Sequence, residues 1–256
     1  MECLGIIGGS SLISASSLTK EFKKEFVSTE FGTAVCHVAI WKSSPLKVVY
    51  IQRHHVDVDE EYRQPRKINF HLIAAVCRHM KCHTVIGLYS VGSMDTKIQI
   101  GDLVVPHDYF NPFHILHLSD KYDAHVVAGI DLSLQKTIIA ILNENTDRPR
   151  PIEQGTYVQS AGPRFETKSE VRFFSQFGDL IGMTGGNEAE LINELRIPFA
   201  MIAIVDNMAN GLGDTLTLEM FKAAQEKNQS IAESVACDIL NFFAKETAMP
   251  LNKAEM

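Results

Sequence analysis

The sequence is short of positive charge. Its 24 Lys and Arg stand against 31 Asp and Glu, a formal net charge of -7 over 256 residues. A domain with that balance has no electrostatic drive toward a phosphodiester backbone, so nucleic acid is excluded as a partner and a small substrate is expected instead. No run of about 18 apolar residues occurs, and "MECLGIIGGSS" has no basic segment ahead of a long apolar one. Neither a membrane span nor an export signal is expected, and the location is read as cytoplasmic. Cysteine is sparse: Cys3, Cys36, Cys77, Cys82 and Cys237 form an odd, scattered set in a chain large enough to fold without staples, so reduced thiols are expected. "CRHMKCH" gathers two cysteines and two histidines, but it continues an apolar-periodic segment and has neither Cys-x-x-Cys nor a second pair. No metal is expected. Internal repeats and low-complexity tracts are also absent.

What is present is enough apolar material, 45% of the residues, for one sizeable core. Short apolar runs recur as buried strands would: "LGII" (4–7), "KVVYI" (47–51), "TVIGLYS" (84–90), "DLVVP" (102–106), "GTYVQSA" (155–161), "LIGM" (180–183) and "FAMIAIV" (199–205). Between several of them apolar residues take helical spacing, at 68–80, 132–143, 169–177 and, as a long final helix, 216–244. That alternation predicts an α/β layer fold. Pro149 and Pro151 mark a loop and not a boundary, because a strand pattern resumes at once.

Such folds gather ligand groups where strands end. After the first strand stands "GIIGGSSL", which misses the G-x-G-x-x-G spacing of dinucleotide sites and lacks the Gly-Lys-Ser/Thr of the ATPase phosphate loop. Two readings of it stay open, a turn that holds a phosphate and a tight strand exit whose glycines serve backbone geometry. The polar residues after the other runs are Arg53 to His55, Ser90 to Ser93, Arg164 to Thr167, Thr184 to Glu188, and Asp206 with Asn207. With hydroxyls, one arginine, glycines and a few carboxylates, they describe an oxyanion site beside a polar, partly aromatic pocket.

Several of these stretches together resemble the trimeric purine nucleoside phosphorylase and methylthioadenosine phosphorylase family. "GIIGGSSL" stands where that family keeps its first phosphate loop, "QRHH" follows the second strand, "PRKIN" precedes the first helix and "LYSVGSM" follows the third strand. "GTYVQSAGPRFET" and "DLIGMTGGNEAEL" match the most recognisable region, and "IAIVDNMANG" sits at the base-reading loop. The resemblance spans Gly5 to about Phe221. It implies a single-domain three-layer α/β/α fold around a central mixed β-sheet over 1–245, with a C-terminal tail at 246–256. The implied activity is purine ribonucleoside phosphorolysis in purine salvage by a homotrimer or a dimer of trimers, with inorganic phosphate as co-substrate and no cofactor.

The resemblance also assigns residues. Ser10, Arg53, His54, Ser90 and Thr184 would bind phosphate: Arg53 through a paired grip on the dianion, His54 as a further donor, Ser90 mainly through a backbone N–H of its turn, and Thr184 by its hydroxyl. Each also has a structural alternative, Ser90 and Thr184 as turn caps and Arg53 as the partner of an acid of "DVDEEYR", and without the family only Arg53 is read as a phosphate ligand. Met183 would lie under the ribose and Phe165 against the purine, both otherwise ordinary core residues. Glu166 would accept N1–H of a 6-oxopurine while Asn207 faces N7 and O6, and these two are the catalytic candidates. That pair favours hypoxanthine or guanine. Asp206 keeps an alternative open, since a register shifted by one residue puts a carboxyl at N7, as in S-methyl-5'-thioadenosine phosphorylases. Leu218 stands where branches that bind an ordinary 5'-hydroxyl have histidine, which implies an apolar 5' pocket that accepts a methylthio group. The chain departs from the family at His55, usually glycine, at Tyr89, usually small and polar, at Ile73 in place of a polar residue, and in the longer loop "VDVDEEYRQ". Two rival classes are a nucleoside hydrolase, which has no need of a phosphate site, and a non-catalytic nucleotide-binding protein.

Overall fold

All seven apolar runs become strands in the computed structural model, which describes residues 2–13, 16–119, 125–213 and 216–248. In chain order the strands are β1 (Cys3–Gly8), β2 (Lys23–Thr29), β3 (Gly32–Ile40), β4 (Lys47–Gln52), β5 (Thr84–Ser93), β6 (Leu103–Val104), β7 (Asp108–Phe110), β8 (Thr156–Gln159), β9 (Leu180–Gly182) and β10 (Phe199–Met208). The helices are α1 (Ser16–Thr19), α2 (Phe70–His79), α3 (Leu132–Glu144), α4 (Lys168–Phe174), α5 (Gly185–Glu194) and α6 (Leu218–Ala248). Five elements lie outside the runs read from the sequence, β2, β3, β7, α1 and α5. In β2 only Val27 is buried, so its sequence reads as polar, and β7 is three residues long. Helix α5 opens on two glycines and buries Asn187 and Glu188, which hides its inward face from a hydrophobicity pattern.

One mixed sheet holds all ten strands, with the order β2-β3-β4-β1-β5-β9-β8-β7 and with β10 between β5 and β6. Helix α2 packs on α5, while α1 and α3 pack on α6, each group against strands of the sheet. The sheet forks at β5. Strand β1 runs parallel to β5 only as far as Gly87, β9 joins antiparallel at Gly92 and Ser93, and β10 follows the other edge through to Ser93. On the β1 side, residues 88–91 therefore have no ladder partner. Backbone groups left unpaired at a buried fork must find side chains or ligands, and this is where the cavity described below opens.

Local chemistry fixes the helix starts. Asn69 and Asp131 accept from the backbone N–H groups of Leu72 and Leu134, and Thr167 with Glu170 closes a reciprocal capping box on α4. Each such cap contributes about 1 kcal/mol. The glycines of "GIIGGSSL" serve space and not left-handed backbone: a Cβ on Gly8 would overlap the Tyr50 hydroxyl, and one on Gly9 would overlap the Arg53 guanidinium. Gly162 is different. Its φ of +59° is a conformation that favours glycine, and Met183 Sδ fills the place of its Cβ.

Candidate active site

A cavity of about 470 Å³ lies over the fork. The segments after β1 and β4 bring Ser10, Arg53 and His54 to it, those after β8 and β9 bring Phe165, Glu166, Met183 and Thr184, and β5 and β10 themselves bring Ser90 and Asn207. Residues as far apart as 10 and 207 in the chain thus line one cavity. Leu218 is the first residue of α6, and its side chain lies outside the described residues.

Arg53 is 1% exposed and its fork is already closed. Nε donates to Glu188 Oε1 at 2.6 Å and Nη2 to Glu188 Oε2 at 3.2 Å. Nη1 donates to the Leu88 carbonyl at 2.9 Å, inside the unpaired stretch of β5, and Nη2 also reaches the Ile7 carbonyl at 3.4 Å. Four of a guanidinium's five N–H groups are used, which leaves one for a ligand. The expected paired grip on a dianion is corrected on this point: the carboxylate that takes the fork is Glu188, and not an acid of "DVDEEYR". Tyr89 completes the cluster. Its hydroxyl donates to Glu188 Oε2 at 2.5 Å, its ring lies 4.5 Å below the guanidinium carbon, and burial, with the Glu188 charge next, pushes the phenol well above its ordinary range. An ion pair this deep repays its desolvation only when its other donors and acceptors are largely met, and Leu88, Ile7 and Tyr89 meet all but that one N–H.

His54 is also corrected. Burial pulls it down to about 4, so it is neutral at pH 7. Nδ1 faces the Arg63 carbonyl at 2.8 Å, and a carbonyl only accepts, so the proton sits on Nδ1 and Nε2 keeps a lone pair. A ligand at this ring meets an acceptor, not the donor expected. The ring stacks on Tyr62 with centroids 5.0 Å apart. Arg63 holds the long loop in place through ion pairs to Asp57, Asp59 and Glu61.

Ser90 lies inside β5 and not in a turn after it, so its backbone belongs to the strand. Its hydroxyl is 2.6 Å from Ser11 Oγ. Thr184 is the N-cap of α5 with no capping bond from its side chain, while the first backbone donors of the helix are already taken: Thr184 and Gly185 N–H donate to Tyr157 Oη and Gly186 N–H to Gln159 Oε1. The helix start therefore presents a hydroxyl to the cavity in place of the usual free N–H groups.

Glu166 is buried, and burial raises its carboxyl above the ordinary glutamate range. Asn207 Nδ2 donates to the Met208 carbonyl at 2.9 Å. A bulge in β10 between Val205 and Asn207 decides the register. Asn207 lines the cavity, while Asp206 accepts from Asn228 Nδ2 of α6 at 2.8 Å. Tyr62, Gln64, Lys222 and Gln225 also line the cavity without having been expected there. The unusual length of "VDVDEEYRQ" was the signal for the first two, and α6 offered none for the others. Among the described residues no group of three or more His, Cys, Asp or Glu could hold a metal ion.

The model of the phosphorylase superfamily matches residues 4–241. The chain belongs to that superfamily. Among curated members, the probable 6-oxopurine nucleoside phosphorylase of Archaeoglobus fulgidus is 31% identical over 82% of this chain and 83% of its own. The probable S-methyl-5'-thioinosine phosphorylase of Methanocaldococcus jannaschii is 29% identical over 93% and 92%, and the S-methyl-5'-thioadenosine phosphorylase of Thermofilum pendens is 34% identical over 79% and 77%. The methylthioadenosine phosphorylase of Schistosoma mansoni, solved with adenine, superposes with a TM-score of 0.78 over 97% of this chain and 98% of its own at 18% identity. That likeness establishes the superfamily's three-layer α/β fold in this chain.

Proposed function

We propose that this phosphorylase cleaves the N-glycosidic bond of a 6-oxopurine ribonucleoside with inorganic phosphate, giving the free base and a ribose 1-phosphate. The observation that carries the reading is a single cavity lined both by the hydroxyls of Ser10, Ser90 and Thr184 and by the pair Glu166 and Asn207. Phosphate meets the hydroxyls of Ser10, Ser90 and Thr184 and the last N–H of Arg53, while the proton of hydrogen phosphate meets the lone pair on His54 Nε2. As the C1'–N9 bond stretches, positive charge grows on the ribose, held over Met183, and negative charge grows on the purine. Asn207 donates to N7 and Glu166 accepts N1–H, so both act where charge develops. A second copy of the chain covers the sugar side in a ring of three, as the resemblance implies. An exposed aromatic patch supports that contact: Phe113 is 66% exposed beside Phe173, and Phe177 stacks on Phe110 at 4.7 Å.

Base release is measured from inosine, guanosine, adenosine, methylthioadenosine and methylthioinosine, with and without phosphate. Phosphate-dependent cleavage of the oxopurine nucleosides is expected. Undiminished release without phosphate makes the protein a hydrolase. Turnover of methylthioadenosine with every oxopurine refused favours the S-methyl-5'-thioadenosine phosphorylase reading and makes Asp206 the base reader. Light scattering at working concentration is expected to give a trimer; a fully active monomer rejects the interface.

A further inference from the structure

Asp206 has no part in the reaction as proposed, yet it is placed as if it had one. It is the extra residue of the β10 bulge and 2% exposed; Oδ1 accepts from Asn228, and Oδ2 is buried with no hydrogen-bond partner. The β10–β5 register sets Ile204 opposite Ser90. Asp206 is the residue inserted between the Val205–Val91 and Asn207–Gly92 pairs, and its carboxyl lies close enough to the Ser90 hydroxyl to feel it. Ser90 in turn shares a proton-ambiguous 2.6 Å bond with Ser11, and of these two hydroxyls only that of Ser90 lines the cavity.

We propose that Asp206 is a positioning residue for phosphate: protonated, it turns the Ser90 hydroxyl toward the bound anion, and ionised, it turns that hydroxyl away. With the proton on Oδ2, Asp206 donates to Ser90 Oγ, Ser11 donates to the same oxygen, and the Ser90 proton goes to the anion. Without it, the Ser90 proton goes to the carboxylate, and the cavity is left with lone pairs and one more negative charge nearby. The change falls in a useful range, because burial raises the carboxyl to about 6 against smaller opposing effects from Asn228 of α6 and Ser90 of β5.

This rests on the phosphorolysis reading, and the experiment separates the two. The variant Asp206→Asn keeps the shape and fixes an amide donor where the protonated form has its hydroxyl. The KM for phosphate is measured with inosine from pH 5 to 8 in both proteins, and the ratio of wild type to variant cancels the ionisation of phosphate itself. Sulfate, whose charge is constant over that range, serves as a competing anion. The expected ratio is near 1 at pH 5 and rises to about tenfold by pH 8, with the KM for inosine unmoved. Ser90→Ala, which keeps Asp206 but removes the hydroxyl it steers, should flatten the pH dependence of sulfate inhibition. A ratio independent of pH in an enzyme that still requires phosphate overturns the role of Asp206, whereas base release by wild type without phosphate overturns the reaction on which it rests.

Discussion

Around the proposed phosphate site the strongest polar groups are spent on one another. Arg53, Glu188 and Tyr89 form a closed, buried set that also satisfies the Leu88 carbonyl at the sheet fork. Around the proposed base site Glu166 lies buried with its carboxyl held above its usual range, and Asn207 gives only part of its amide to the backbone. One site stores its electrostatics in the fold; the other keeps them for the ligand. Substitutions at the first should therefore show up in stability and at the second in specificity.

The largest expected effect is at the base site. A site built around an N1–H bond discriminates by roughly 10⁴–10⁵, so kcat/KM for inosine should exceed that for adenosine by that order, and Glu166→Ala should abolish most of the difference while the protein stays folded. Next comes Arg53→Ala, which leaves Glu188 buried and unpaired at a cost of about 3–5 kcal/mol. At about 2–4 °C per kcal/mol for a chain of this size, the thermal midpoint should fall by roughly 6–20 °C. If the midpoint holds and only the phosphate KM rises, Arg53 is a free ligand group and the contrast between the two sites disappears.

Smaller effects sharpen the comparison. Asn207→Asp should move the balance toward 6-aminopurines by about 10–100-fold, the worth of one hydrogen bond to a charged group, read as the ratio of kcat/KM for adenosine and inosine. The pH dependence follows from Glu166, which must be ionised to accept N1–H. Oxopurine turnover should fall on acidification at a higher pH than an ordinary glutamate would impose, by about tenfold per unit once below its raised pKa, and Glu166→Gln should lose that limb. The stability effect has the opposite sign. A carboxyl whose folded pKa is raised stabilises most below its unfolded pKa, and that contribution is lost as pH rises through the folded pKa. Glu166→Gln should accordingly raise the midpoint at pH 7. The smallest effect is a control remote from both sites: Asp131→Ala removes the cap of α3, costs about 1 kcal/mol and should leave both specificities alone.

The seven strands and four helices that carry apolar periodicity were legible in the chain because burial of one face leaves a repeating pattern. The hairpin partner β2 and helix α5 were not, since the first buries almost nothing and the second buries polar residues. The family was legible as a resemblance, with which the matching superfamily agrees, and the site residues were assigned through it. Their states were not. Nothing in "QRHH" says that the arginine is taken by a carboxylate 135 positions away or that the histidine proton faces a backbone carbonyl.

Composition and local pattern alone determined an acidic α/β chain with glycines at its first strand exit and polar residues at its strand ends, because these depend on neighbours a few residues apart. The tertiary structure decided which polar groups remain available to a ligand. The fork at β5 commits Arg53 to the fold, and the bulge in β10 sends Asn207 to the cavity and Asp206 to α6. Both outcomes depend on contacts between residues tens to more than a hundred positions apart, where a partner's identity is fixed by packing and not by spacing.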